Sequence, residues 1–132
     1  MKTEDILNLD YRLEENQELI AKALKKIPPL ANYDEIPLEA IEKLIGSISR
    51  KYAIMIQYIC PTYVKGNDPI YCVSLKVIYP YQWLGNVYGC CLYEAMAKTA
   101  IRMYAEVRKG TLKLLSECTD ERRRADEIAN LH

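Results

Sequence analysis

The sequence has very few of the residues on which enzymes and metal sites most often depend. Its only histidine is His132, the last of 132 residues. Ser–His and Cys–His catalysis need a base that is held firmly, so a histidine at the chain end argues against both. The commonest metal ligand is therefore almost missing, and neither a CxxC pair nor a glycine-rich phosphate loop occurs. We expect no catalytic residue, no cofactor and no metal, and the protein is more consistent with a binding role than with an enzyme.

The chain also lacks net charge, a long apolar run and a secretory signal. It contains 18 Lys and Arg against 18 Asp and Glu, so no overall field attracts nucleic acid or an anionic membrane. No stretch approaches the roughly 18 apolar residues of a membrane span, and residues 1–5 are too acidic for a signal peptide. We expect a cytoplasmic protein without a membrane partner.

Phenylalanine is absent, whereas tyrosine occurs eleven times and tryptophan once. Tyrosine buries a ring but needs a partner for its hydroxyl, which is why it is common at interfaces; lineage bias is the alternative explanation. The five cysteines are odd in number, and in a reducing compartment they are predicted to be free thiols. They are Cys60, Cys72, Cys90, Cys91 and Cys118.

Residues 4–27 have the apolar spacing of one long N-terminal helix, ended by Pro28-Pro29. Residues 28–36 are predicted to be a linker. Asn16 interrupts the apolar stripe at a position that fixes register in helix pairs, although a polar residue on a helix that packs within its own domain explains it equally well. The candidate interface residues on this helix are Leu9, Leu13, Asn16 and Ile20.

Residues 37–118 are predicted to form an α-β-β-α core, because the hydrophobic period changes from 3.6 to 2 between Tyr52 and Tyr79 and then returns to helical. The strands are expected at 53–60 and 70–79, around a turn at 65–69, with residues 81–88 as a weak third strand. The last helix is expected at 91–117, with Glu94 at capping-box spacing from Cys91. A charged tail, 119–132, follows. The fold class is thus α+β in one domain: an antiparallel hairpin, or three strands, packed against two or three helices. The face predicted to be buried carries Tyr71, Val73, Leu75 and Val77.

A basic stripe runs along the last predicted helix. Its members lie within roughly 60° around the helix axis and are suited to phosphate contacts, which makes weak nucleic-acid binding the alternative function. Glu94 and Glu106 share this helix, so a solvated charged face is the competing interpretation. The candidate nucleic-acid contacts are Lys98, Arg102, Lys109 and Lys113.

Residues 92–101 read LYEAMAKTAI after the predicted hairpin. Because a hairpin precedes a helix that opens with this phrase, the stretch 37–109 resembles small phage and prophage proteins of the phage ABA sandwich domain family. The chain departs from that pattern in its long loop after the hairpin and in Cys90-Cys91, where a short Ser or Thr cap is expected. The resemblance implies an accessory protein of a mobile element, and it carries over no functional residue.

The leading functional hypothesis is a non-enzymatic interaction or structural module. The second face of the hairpin is apolar, and a two-stranded hairpin alone is marginally stable. Homodimerisation would cover that face, with the first helix lying across the second subunit; the alternative is a monomer in which the first helix folds back, and a different protein partner is also open. The residues of this second face are Met55, Ile59, Ile70, Cys72 and Ile78.

Overall fold

The secondary structure follows the predicted order of helices, strands and a final helix. The computed structural model describes residues 1–62, 70–78, 81–118 and 128. The predicted turn at 65–69, Tyr79 and nearly all of the tail therefore lie outside the described residues. The elements are α1 Thr3–Leu7, α2 Glu14–Lys25, a 3₁₀ helix at Pro28–Leu30, α3 Leu38–Lys51, β1 Ile54–Thr62, β2 Ile70–Val77, β3 Gln82–Gly89 and α4 Leu92–Lys109.

The N-terminal helix is broken, so the prediction of one helix over 4–27 was wrong. α1 ends at Leu7 and α2 begins at Glu14. The side-chain amide of Asn16 donates to the carbonyl of Asp10 (2.9 Å), and the Asp10 carboxylate accepts from the backbone N–H of Arg12 (3.1 Å). Side chains that satisfy nearby backbone groups compete with helix formation. Within the chain, Asn16 thus holds the turn that precedes α2.

The predicted linker is part of the core. Leu30 and Ile36 are both buried, and the carbonyl of Ile36 accepts a 2.6 Å hydrogen bond from the Tyr93 hydroxyl on α4. α2 packs against α4, so the N-terminal helices fold back within the chain. This corrects the expectation that a free linker lets the first helix lie across a neighbouring subunit.

The sheet is antiparallel, with strand order β1-β2-β3. The weak strand predicted at 81–88 is therefore a full strand. A bulge between Ile56 and Tyr58 shifts the register, so that Tyr58 lies opposite Ser74 and Ile59 opposite Val73. In a regular strand Ile54, Ile56 and Tyr58 would share one face. The bulge ends this alternation, because one extra residue exchanges the two faces beyond it.

The predicted buried face of the sheet packs under α3 and α4, which is the layer arrangement expected of an α+β fold. Val73 and Leu75 are completely or almost completely buried. Gly89 brings β3 against α4 so closely that a Cβ there would lie 2.4 Å from the backbone nitrogen of Ala95. The core therefore needs glycine where this strand meets the helix.

α4 begins as predicted but ends earlier. The Cys91 thiol accepts from the Glu94 backbone N–H (3.5 Å), and the Glu94 carboxylate accepts from the Cys90 N–H (2.7 Å), a capping box with sulfur in place of a hydroxyl. Gly110, with φ of 73°, ends the helix in the left-handed conformation. The predicted continuation to residue 117 was therefore wrong. The chain instead returns towards β1, where the Ala53 N–H donates to the Lys113 carbonyl (2.9 Å).

Candidate functional site

The second face of the sheet carries a group of exposed aromatic rings, here called the aromatic face. Its rings are Tyr58, Tyr81, Trp83 and Tyr88, which are 48%, 61%, 55% and 52% exposed. Tyr81 directly precedes β3, and the Lys76 ammonium lies 5.8 Å from its ring centroid. Single exposed aromatic side chains are ordinary on protein surfaces, whereas several on one face of a sheet are less usual.

Ser74 lies at the centre of the aromatic face and holds its only tryptophan in place. Ser74 is buried, and its hydroxyl accepts a 3.0 Å hydrogen bond from the Trp83 indole N–H. The same hydroxyl lies 3.5 Å from the side-chain oxygen of Gln57, the extra residue of the β1 bulge. The indole ring is therefore fixed while half of its surface remains open to water.

Two bulges bring the rings to one face. Trp83 and Tyr88 are five residues apart, an odd spacing that places side chains on opposite faces of a regular strand. At a second bulge the adjacent β2 residues Leu75 and Lys76 lie opposite Gly85 and Trp83, so the extra residue is Leu84 of β3. Tyr88 lies opposite Cys72. Gly85 lies at this irregularity with φ of 106°, a conformation that glycine adopts readily.

Asn86 contributes the one buried side-chain polar atom that has no partner among the described residues. Its amide nitrogen donates to the Tyr88 hydroxyl (3.1 Å), whereas its oxygen is buried and accepts nothing. Leaving a buried acceptor unpaired costs about 1–3 kcal/mol.

The aromatic face is nearly free of ionised side chains. Lys76 is the one charged residue that the described strands place on it, and its ammonium lies over the Tyr81 ring. Burial, and then the neighbouring Cys60 thiol, raise the pKa of Cys72 on the same face. Cys72 is therefore a neutral thiol near pH 7.

The structure buries one member of the predicted basic stripe and pairs two others with a carboxylate. Lys98 is only 3% exposed; its ammonium donates to the Glu94 carboxylate and to the carbonyl of Leu9, so its prediction as a nucleic-acid contact was wrong. For the other three residues of the stripe, nucleic-acid contact stays an untested prediction. Arg102 and Lys109 both pair with Glu106, at 3.1 and 3.0 Å. Lys113 follows the end of α4.

The four predicted interface residues are not brought together on one exposed surface. Ile20 lies in the core of its own chain, and Leu9 packs against that core. Asn16 holds the turn before α2, and Leu13 is about half exposed. The apolar stripe that sequence periodicity identified is thus mostly an internal packing surface.

A cleft of about 1050 Å³ lies beside the outer edge of β3, between residues 4–12 and the start of α4. The Arg12 guanidinium lowers the pKa of Asp10 through a hydrogen bond. Partial burial and the Glu94 carboxylate raise the pKa of Cys90 to about 12. A reactive cysteine needs its thiolate, so Cys90 is a poor nucleophile at neutral pH.

The described residues contain neither a cluster of metal-ligating side chains nor a helix suited to spanning a membrane. There, no three His, Cys, Asp or Glu side chains come together in a way that could hold a metal ion. None of the helices in the described segments combines the length and apolar character that a bilayer span requires.

Sequence reasoning missed the aromatic face because it predicted residues 81–88 only as a weak third strand and did not assign the side chains of that strand to a face of the sheet. Gly85 was the available signal, since a glycine inside a strand-like segment often marks a bulge. Allowing for one extra residue there would have placed Trp83 and Tyr88 on the same face. No protein-family model matches the chain, and comparisons with curated proteins and with solved structures give no significant match.

Proposed function

We propose that this protein is a non-enzymatic interaction module that binds a second copy of itself through the aromatic face. The observation that carries the proposal is the cluster of four half-exposed rings on one side of the sheet, with the N-terminal helices packed elsewhere against α4. Two sheets stacked face to face bury such side chains between them, as in a β-sandwich.

The size of the surface suits a weak dimer. Burying one aromatic side chain removes about 150–250 Å² from water, so four half-exposed rings offer roughly 300–500 Å². A standard interface buries about 800 Å² on each partner. Neighbouring side chains such as Met55 and Gln57 must supply the remainder, and we expect dissociation on dilution.

The charge of the surface suits a second copy. In a two-fold interface each charged group meets the same patch again, so charged faces repel themselves. Here the one ionised group is Lys76, already placed over a ring. The other polar groups are amides and hydroxyls, which both donate and accept.

Light scattering after size exclusion tests this proposal. The wild-type mass should approach twice 15.3 kDa at high concentration and fall towards 15.3 kDa on dilution. Tyr58→Lys should be monomeric throughout, because the substitution places like charges in the interface. Tyr33→Lys is the matched control, since Tyr33 is 42% exposed on the loop before α3, and it should behave like wild type. A wild-type monomer at every concentration would overturn the proposal.

Weak nucleic-acid binding is the second candidate, because exposed rings on a sheet can stack bases. It ranks lower because phosphate contacts require free cations, whereas Lys98 is buried and Arg102 and Lys109 pair with Glu106. Fluorescence anisotropy with single- and double-stranded oligonucleotides should show no binding at low salt. Micromolar binding that weakens steeply with salt, and is lost when Arg102, Lys109 and Lys113 become Glu, would favour this candidate.

We propose that the protein is located in the cytoplasm, because the reducing environment there favours free thiols. The resemblance of residues 37–109 to phage ABA sandwich proteins supports a role as an accessory protein of a mobile element. Expression in a bacterial host followed by fractionation tests the location: the protein should stay in the cytoplasmic fraction, and recovery with membranes would contradict it.

A further inference from the structure

Two cysteines face each other across the first two strands. Cys60 and Cys72 are direct partners in the antiparallel register of β1 and β2. Their thiols are close enough to interact, since Cys60 contributes to the raised pKa of Cys72 both by charge and by hydrogen bonding. Neighbouring positions on opposite strands are therefore occupied by two side chains that oxidation can join.

We propose that Cys60 and Cys72 are an oxidation site at which a low-molecular-weight disulfide, such as oxidised glutathione, forms a reversible intramolecular disulfide. Directly opposite residues in an antiparallel pair have Cα atoms about 4.5–5.5 Å apart. A disulfide requires about 4.4–6.8 Å, so the backbone already has a suitable spacing.

The side chains need a small further approach. Opposite Cβ atoms in antiparallel strands lie about 4.5–5.5 Å apart, whereas a disulfide needs about 3.5–4.5 Å. Among the described strands, β1 is an edge strand whose sheet neighbour is β2. It can close on β2 by up to about 1 Å without displacing another strand.

The exposure of the two thiols sets the order of the steps. Cys60 is partly exposed and Cys72 is buried, so the Cys60 thiolate attacks first. It breaks the S–S bond of oxidised glutathione, forms a mixed disulfide and releases one glutathione thiolate. Cys72 then loses its proton to solvent and attacks the Cys60 sulfur, which releases the second glutathione. In total, two protein thiols are oxidised and one oxidised glutathione is reduced to two glutathione molecules.

The other cysteines are poorly suited to this reaction. Cys90 and Cys91 are adjacent, so their Cα atoms are about 3.8 Å apart, closer than the usual disulfide range. The pKa of Cys90, raised to about 12, leaves little thiolate to start an exchange. Cys118 is buried. The reaction should therefore select one pair among five thiols.

The pair also belongs to the aromatic face, since Cys72 lies opposite Tyr88 in the register of β2 and β3. The site does not depend on the proposed dimer. Dilute protein is nevertheless preferable for its test, because a second copy stacked on this face would cover Cys60.

The experiment is to treat dilute reduced protein with oxidised glutathione and to measure intact mass and non-reduced peptides. Wild type should lose two hydrogen atoms and give one linked peptide that joins Cys60 to Cys72. Cys72→Ser should instead retain one glutathione on Cys60, because the second thiol is missing. Cys90→Ser is the control and should form the same linked peptide as wild type.

A second variant guards against a folding effect of the buried substitution. Cys60→Ser changes only a partly exposed residue, and it should prevent the internal bond and leave Cys72 unmodified. The proposal is overturned if wild type accumulates stable glutathione adducts without the internal bond, or if the linked peptide joins other cysteines.

Discussion

Glu94 and Lys98 form an ion pair that is almost completely removed from water. Lys98 also donates to the carbonyl of Leu9, and Glu94 also accepts from the N–H of Cys90. The pair therefore joins the start of α4 to the turn that follows α1. Sequence reasoning counted both residues correctly as charged helix positions but assigned them to solvent, because helical periodicity alone does not show that a second segment covers them.

Removing one partner of this pair should be strongly destabilising. Lys98→Met leaves the Glu94 carboxylate buried without its cation, and we expect a loss of about 3–5 kcal/mol in the free energy of unfolding. The double variant Glu94→Gln/Lys98→Met should recover part of this loss, because glutamine keeps an acceptor for the Cys90 N–H. Urea denaturation measures all variants.

The exposed Asp10–Arg12 pair is the matched control. Arg12→Ala should cost less than about 1 kcal/mol, since water already solvates both groups. A loss of under about 1 kcal/mol for Lys98→Met as well would contradict the description of Glu94 and Lys98 as a structural pair.

Cys90 should react slowly although its residue is exposed. Its pKa is raised from 9.0 to about 12, which lowers the thiolate fraction a thousandfold; the higher nucleophilicity of the more basic thiolate restores roughly 30-fold. With an aromatic disulfide reagent at pH 8, Cys90 should react roughly 30-fold more slowly in the folded protein than in urea. Equal rates in the two states would show that the fold does not perturb this thiol.

The raised pKa of Cys90 also makes the stability of the fold depend on pH above about pH 9. Because the pKa of Cys90 is raised on folding, its contribution to stability is complete below about pH 9 and is lost as the pH rises towards 12. The stability difference between wild type and Cys90→Ser should therefore change in that window and be constant below it. A difference that changes at lower pH would have another origin.

The hydrophobic periodicity of the sequence predicts the type and order of the helices and strands. The period change at Tyr52 placed α3 and β1 correctly, and the proline at 37 marked the start of α3. The break after Leu7 was missed because the apolar spacing continues through it. What breaks the helix is a set of side-chain bonds from Asn16 and Asp10 to the backbone, and these leave the hydrophobic pattern unchanged.

The aromatic face was missed for a related reason. The bulge in β1 brings Tyr58 to this face, and the bulge in β3 brings Trp83 to the same face as Tyr88. Each bulge changes which side chains share a face, but the hydrophobic pattern of the sequence does not show it. Tyr58 would lie on the helix-covered face if β1 were regular. Composition did point towards an interface through the abundance of tyrosine, but it did not say where on the fold the rings would gather.

The contact between β3 and α4 gives a direct test of the element packing. Gly89→Ala would place a Cβ 2.8 Å from the Cα of Ala95 and closer still to its nitrogen. The helix must then move away from the strand, and we expect a loss of about 1–3 kcal/mol.

Gly46→Ala is the control for this substitution. Gly46 lies inside α3, where an added Cβ meets only the flexible side chain of Arg50 at 3.4 Å. Alanine is the better helix former, so this variant should gain up to about 1 kcal/mol. Thermal unfolding measures both, and a stable Gly89→Ala protein would contradict the close packing of β3 on α4.

For the whole molecule, the sequence predicted an apolar second sheet face that either a second copy or the folded-back first helix would cover. In the described fold the N-terminal helices α1 and α2 pack against α4 and not on this face. α3 and α4 pack on the opposite side of the sheet. The rings of β1 and β3 therefore remain half exposed. The chain is neutral overall, and this face is nearly uncharged. These properties together are why a second copy is the partner we propose.

Trp83 is the only tryptophan of the chain and lies in the proposed interface. Its emission is therefore a direct report on whether the aromatic face is covered, and the most direct test is to record its spectrum over a thousandfold dilution. The dimer predicts a shift to longer wavelength on dilution, as the indole becomes wetter, with a midpoint that matches the change in mass by light scattering. A spectrum that stays constant over the range in which the mass changes would place the interface elsewhere, and a constant spectrum with a constant monomer mass would contradict the dimer itself.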